Sequence, residues 1–479
     1  MKSTFLQSNP KEVTPENFSD AMQQAIEIEI ATIPVYLFTY YSINRTPDQG
    51  AIEEKIKQLI ADGKSSISPD APTQTIDALA TDLSTKIMVF ANKAGASIIS
   101  VVIEEMLHMS LSSNVKQALA GKPELVNKSP EVWPAFLPGH EPPFPINRAK
   151  LTFDQLYTFM QIESPNTLDG SDNKATAIKY TTIGDFYGLV KKCIEEDFKD
   201  DSYYHWDRPQ LVPKMGYYAQ NDVNTLYYDK EHKPKFENAS DSGDLIHVVD
   251  KESAIKALDE IVEQGEGCHG RGFINIDGED CVSCTPFEAD DYDDKSRSEL
   301  AHFDKFNQLW CEMKGLDTEF AAVFGENLDP KQLFIYNFEA NPSTTDYPSV
   351  IQKVSNLTNA VYSYLYVMTE ACYSADKHTQ YEIFMFGIHK SMMWILGSLC
   401  GELPGMSYIG ADGREYQAAP TFENYRFSAV CSPKQQIIEL FNDAVAAYPG
   451  IAYMKDRILD LPNVPLEPYL AKPKQPILA

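Results

Sequence analysis

Two short stretches of this chain carry the residue types of a metal centre. In residues 101–112, VVIEEMLHMSLS, positions three and four apart share a helical face, so Val101, Glu105, His108, Met109 and Ser112 align while Glu104 turns aside. A carboxylate and an imidazole therefore project from an apolar stripe. Burying an unpaired carboxylate there costs several kcal/mol, so the pair needs a cation, a proton or strong hydrogen bonds. Residues 298–306, SELAHFDKF, repeat the spacing, with Glu299 and His302 on the face of Phe306, Leu309 and Met313. Alone, Glu-x-x-His is a weak motif that a hydrogen-bonded pair in a helical core satisfies equally well. Paired, the two copies point to a carboxylate-bridged two-metal site, which asks for Glu-x-x-His on two helices and a single Glu from each of two others.

The single acids are sought on helices between and before the motifs. The helix that starts at Thr14-Pro15 is amphipathic, with Met22, Ile26, Glu29, Ile33 and Tyr36 on one stripe, Glu29 being its one acid. Tyr36 lies one to two turns from Glu29, in reach of a supporting hydrogen bond. Further on, residues 251–267 read as a helix with Ile255, Leu258, Ile261 and Val262 inward. It ends in Glu-Gln-Gly-Glu-Gly: Glu266 falls near the apolar edge, whereas Glu263, the alternative, shares the polar face with Lys256 and Asp259. The expected ligand set is Glu29, Glu105, His108, Glu266, Glu299 and His302, in the order Glu, Glu-x-x-His, Glu, Glu-x-x-His. Imidazole with several carboxylates suits iron, with manganese as the alternative, and bridging carboxylates hold two such ions about 3.5–4 Å apart.

These residues need long helices to position them, and the pattern supplies them. Thr14-Pro15 marks a helix start, and Pro34 predicts a kink in that helix. A polar connection with a short helix at 52–60 leads to a long helix from about 81 to 120, stopped by Gly121-Lys-Pro. After a Pro-rich crossing at 133–147 come helices at 151–162 and 183–194, whose acids Glu163, Glu195 and Glu196 read as end caps or solvated groups. Residues 198–245 and 268–298 read as irregular insertions. Two apolar helices, 356–373 and 381–403, carry Glu370 and His389 without partners at ligand spacing, and a helix at 433–447 precedes a Pro-rich tail. The pattern is mainly α, with an arm (1–14), one elaborated metal-binding domain (15–425) and a C-terminal helix and tail (426–479).

Composition bounds the function classes. With 479 residues, 43% apolar and 11% aromatic, the chain can bury a large core, and its formal charge of −28 repels nucleic acid and anionic membrane surfaces. The N-terminus lacks the apolar segment of a signal peptide and no uninterrupted run of about 18 apolar residues follows, so a cytoplasmic location is the expectation. Eight scattered cysteines read as buried thiols in a reducing compartment. Only Cys268, Cys281 and Cys284 stand out: Cys281-Val-Ser-Cys284 has zinc-like spacing with His269 nearby, against the plainer reading of a reduced loop.

Taken together, AIEIEIATIPVYL (25–37), SVVIEEMLHMSLSSNVKQALAGKPEL (100–125), TIGDFYGLV (182–190), IVEQGEG (261–267) and ELAHFDKF (299–306) resemble the ferritin-like family that includes the iminophenyl-pyruvate dimer synthases of violacein and indolocarbazole biosynthesis. The resemblance implies a ferritin-like four-helix bundle with long loop insertions and additional C-terminal helices. It also implies a non-haem iron centre on the six residues named above. Some relatives are associated with haem, and no motif here dictates a haem ligand, so haem stays open. The expected activity is an oxygen-dependent di-iron oxidase or oxygenase, with dioxygen as co-substrate and a small aromatic or unsaturated metabolite as substrate, in the manner of oxidative coupling of amino-acid-derived imines. The alternative is an iron-binding or ferroxidase protein without organic substrate. The expected partners are a small molecule and further copies of the chain.

Overall fold

The computed structural model describes residues 12–164, 182–213, 231, 243–265, 284 and 300–465. Helix α1 (Phe18–Tyr41) begins one turn later than Thr14-Pro15 predicts, because residues 15–17 close a turn in which the Asn17 amide donates to the Thr14 carbonyl at 3.1 Å. It runs without interruption through Pro34 and is buried on almost every side. Helix α2 (Gln49–Ala61), capped by Asp48, packs along α3 (Thr73–Leu119), which starts about two turns earlier than its apolar pattern because its first turns are a solvated extension. Four shorter helices follow. They are α4 (Phe153–Ile162, capped by Thr152), α5 (Ile183–Asp197, capped by Thr182), α6 (Lys251–Gly265) and α7 (His302–Phe324).

The bundle is α1 packed along α3, with α4 against α7 and α3 touching both α6 and α7, while α5 closes one end on α1 and α6. A helix enclosed on all sides carries no polar face, which is why α1 and the second half of α3 bury nearly everything they present. On α6 the inward residues are Ala254, Ala257, Leu258, Glu260, Ile261 and Gly265, whereas Ile255 and Val262 lie at the margin. The buried face is thus rotated from the sequence expectation, since small residues let α6 approach α3 closely.

The C-terminal part adds α8 (Ser349–Cys372), α9 (Lys377–Gly405), a hairpin of β1 (Ser407–Ile409) and β2 (Glu415–Gln417), α10 (Pro433–Ala447) and α11 (Lys455–Leu459). Helix α9 contains two π-helical segments, Ile383–Ile388 and Ser391–Leu396. The layer is tied to the bundle through α3: the Tyr373 hydroxyl donates to the Ser110 carbonyl at 3.1 Å, and the Gln117 amide donates to the Tyr373 carbonyl at 2.9 Å. Glu370 accepts the Leu125 and Val126 amides at 2.8 and 3.0 Å, a structural role that accounts for its burial. By length and composition both α3 and α9 could cross a membrane; α3 is the enclosed core of the bundle, and α9 exposes Phe386, Met393 and Trp394.

Cysteine usage departs from expectation. Cys193, Cys372 and Cys400 are buried thiols, but Cys284 forms a disulfide with Cys311 of α7. That bond removes Cys284 from the proposed zinc set and is an exception to the reduced-thiol reading, because disulfides persist in oxidising surroundings. Cys268, His269 and Cys281 lie outside the described residues.

Candidate metal centre

Helices α1 and α3 and the N-terminus of α7 bring Glu29, Glu105, His108 and His302 together, each at most 2% exposed. The ligand atoms of Glu105, His108 and His302 all lie within 4.8 Å of one another, and the two imidazoles stack with centroids 5.3 Å apart. Glu105 sits between them: its Oε1 is 3.5 Å from His108 Nδ1 and 3.1 Å from His302 Nδ1, and its Oε2 accepts the Thr32 hydroxyl. On one side Glu29 Oε2 lies 3.9 Å from His108 Nδ1, and Glu29 Oε1 accepts the Tyr187 hydroxyl at 2.7 Å. On the other side Glu163 Oε2 lies 3.5 Å from His302 Nδ1, and Glu163 Oε1 accepts the Tyr36 hydroxyl at 2.5 Å. Two histidines, a shared central carboxylate and one flanking carboxylate per histidine give the cluster two similar halves.

Glu163 corrects the sequence reading, which placed it at a helix end among caps and solvated groups. It follows α4 directly and is 3% exposed. The signal was present: Leu156, Phe159, Met160 and Glu163 fall at i, i+3, i+4 and i+7, so the α4 stripe that buries the first three carries the acid inward as well. Gly265 helps to admit it, since a Cβ there would stand 3.2 Å from Glu163 Oε2. Tyr36, expected beside Glu29, instead supports Glu163 and packs edge-on against Phe159.

Glu104 is the second correction. Expected to turn aside, it is 1% exposed, accepts from His302 Nε2 at 2.8 Å and receives the buried Lys305 ammonium on both oxygens at 3.2 and 2.8 Å. "Aside" on an enclosed helix means toward another helix, here α7. The corresponding nitrogen of His108, Nε2, meets Gln264 Oε1 of α6 at 2.9 Å, and Gln264 donates its own amide to Glu260 at 3.2 Å. Of the remaining sequence candidates, Glu263 is exposed on α6, while Glu266 and Glu299 lie outside the described residues. Helix α7 begins at His302 with Ala301 as its extended N-cap.

The electrostatics call for cations. Among the described residues, the buried carboxyl groups of Glu29, Glu104, Glu105 and Glu163 gather around the two imidazoles and the Lys305 ammonium, so acids outnumber the ammonium groups that could balance them. His302 Nε2 is held by Glu104, while Nδ1, which has no well-aligned hydrogen-bond partner among the described residues, faces Glu105 Oε1 at 3.1 Å and Glu163 Oε2 at 3.5 Å; with the ring neutral and its proton on Nε2, the Nδ1 lone pair would face both. Lone pairs facing carboxylate oxygens repel unless a proton or a metal ion lies between them. Without metal, protons fill the role. Burial and then the Glu105 charge push the Glu29 carboxyl well above its ordinary value. Burial opposes charging His302, but Glu163, Glu104 and Glu105 together hold its pKa well above the usual imidazole value. Burial likewise disfavours charge on Glu105, yet its bonds to His108 and His302 outweigh that and keep it ionised. A donor set of imidazole nitrogens and carboxylate oxygens, pre-charged and enclosed, fits a hard or borderline divalent metal.

A model of the ferritin-like family matches residues 22–310, a span that includes the whole cluster. The crystal structure of a ferritin like protein from Caulobacter vibrioides aligns at 18% identity over 76% of this chain and 89% of that one, with a TM-score of 0.39. The comparison with curated proteins gave no match. With more than half its length matched by the family model, the chain belongs to the ferritin-like family.

Proposed function

We propose that this chain is a metal-dependent oxidoreductase whose centre would hold two iron ions on Glu29, Glu105, His108, Glu163 and His302. Manganese is the alternative metal. The observation that carries the reading is His302 Nδ1, buried, without a well-aligned hydrogen bond among the described residues and facing two carboxylate oxygens while its other nitrogen is anchored to Glu104. When bound, the ions would supply redox equivalents for oxidising a small aromatic or unsaturated metabolite at the expense of dioxygen.

The chain's own residues do the rest. Glu104 and Gln264 hold the two imidazoles in the tautomer that presents Nδ1 to the centre. Thr32 fixes the orientation of the central carboxylate, and Tyr187 and Tyr36 fix the flanking ones. Both tyrosines stay protonated, burial first and the adjoining carboxylates second pushing their hydroxyls well above the phenol range, so they act as donors. Tyr36, Phe159 and Phe306 form an aromatic wall against Glu163 that excludes water from that side.

The sequence resemblance to the iminophenyl-pyruvate dimer synthases supports oxidative coupling of amino-acid-derived imines as the reaction class. Anaerobic loading with iron(II), followed by oxygen with and without such imines, tests it. Repeated turnover to a coupled organic product is expected. Oxygen uptake that stops after one oxidation of the iron, with no organic product, would instead identify an iron-oxidising protein.

A further inference from the structure

Among the described residues, the two halves of the centre have matching donors, one imidazole Nδ1 and one flanking carboxylate each, but differ in what stands behind the imidazole. Behind His302 is a carboxylate, Glu104 Oε2 at 2.8 Å; behind His108 is a neutral amide, Gln264 Oε1 at 2.9 Å. From this we infer that the halves are unequal by construction and that the His302 half takes up a divalent ion before the His108 half. The inference rests on the two-metal reading above.

Three features point the same way. A hydrogen bond to an ionised acceptor is roughly twice as strong as one to a neutral acceptor, and it raises the basicity of the opposite ring nitrogen, so His302 Nδ1 is the better donor. Second, His302 Nδ1 already stands 3.1 and 3.5 Å from its carboxylate oxygens, against 3.5 and 3.9 Å for His108, so less rearrangement is needed to close on an ion. Third, the supporting groups differ in anchorage. Glu104 neighbours Glu105 on α3 and Lys305 lies one turn after His302 on α7, so Glu104 clamps α3 to α7 through both His302 and Lys305. Gln264 is the penultimate residue of α6, its amide oriented by Glu260 one turn earlier.

Lys305 refines the effect. Its ammonium offsets the Glu104 charge at a distance, so the preference acts through the bond to the imidazole rather than through a general negative field. The unequal pair gives the two ions different environments, a basis for distinct roles at one centre.

The test is titration of the metal-free full-length protein with cobalt(II), without oxygen, followed by calorimetry and by ligand-field absorption. Wild type is expected to bind two ions in two resolved steps, separated by the roughly 10- to 100-fold typical of supporting-group effects. Gln264→Leu should weaken the second step and leave the first unchanged. Glu104→Gln should weaken the first step until the two merge. As that change strands the Lys305 ammonium, the double variant Glu104→Gln/Lys305→Met gives the same readout without the buried charge. Two equal steps in wild type, or a Gln264→Leu effect on the first step, would overturn the inference while leaving the two-metal reading intact. No cobalt uptake by wild type would overturn both.

Discussion

Glu163→Gln is the substitution that separates the observed centre from the one the sequence led us to expect. The change keeps the side chain's size and its capacity to accept the Tyr36 hydroxyl, and removes only the charge. Glu163 Oε2 stands 3.5 Å from His302 Nδ1 and its charge is the leading attraction that keeps His302 protonated in the metal-free protein. Loss of supporting groups around metal ligands costs about 10- to 100-fold in affinity, and a directly coordinating carboxylate should cost at least the upper figure, about 2.8 kcal/mol. Competition against a chromophoric chelator reads this directly: the ion on the His302 side should weaken by about 100-fold or more, with circular dichroism unchanged. Glu263→Gln, on an exposed side chain, should leave affinity at the wild-type value. Wild-type affinity in Glu163→Gln would refute the assignment of that acid to the centre, and a loss in Glu266→Gln instead would return the role to Glu266.

Other consequences are directly measurable. Gly265→Ala brings a Cβ to 3.2 Å from Glu163 Oε2, so metal affinity should fall, but by less than in Glu163→Gln; an unchanged affinity would show that the carboxylate relaxes freely. The metal-free protein should lose stability as pH rises. His302 and Glu29 both have raised folded-state pKa values, so their contributions are complete below about pH 6.5 and 4.3, the ordinary imidazole and carboxyl values, and fade as pH climbs through the folded ones. Metal replaces those protons, so affinity should increase with pH; thermal melts of the metal-free protein that are flat or rise above neutrality would contradict this. Cys311→Ser opens a loop closed by cysteines 27 residues apart and should lower stability by up to about 3.5 kcal/mol on chain-entropy grounds, seen as a lower thermal midpoint. An unchanged midpoint under oxidising conditions would mean that the disulfide does not contribute.

What was legible in the sequence follows from where periodicity is strong. Glu29, Glu105 and His108 stand out in the sequence because each falls at helical spacing among apolar residues on helices long enough to fix the phase, and the structure buries all three. The α10 boundaries were legible because Ser432 caps the helix and Pro433 opens it. Harder to read were contacts that depend on how helices turn toward one another. The stripe phase turns Glu104 aside, but on a helix enclosed on every side an off-stripe residue meets another helix. Glu163 sits at a helix end, a position that suggests a cap or a solvated group, although its phase matches the buried stripe of α4. Tyr187, Gln264 and Lys305 have no motif at all; their roles arise from approaches of α5, α6 and α7 to the centre that no local spacing encodes. The Cys284–Cys311 bond was hidden for the same reason, since a pair 27 residues apart gives no geometric cue and the conspicuous spacing lay elsewhere.

The central claim, a two-metal centre on α1, α3, α4 and α7, is tested most directly by the metal content of the purified full-length protein after iron(II) loading and removal of loosely bound ions. Two iron ions per chain are expected in wild type, with a loss of about one in His108→Ala and of at least one in His302→Ala, the variants remaining folded. Full occupancy in both variants, or a wild-type chain that retains no metal, would contradict it.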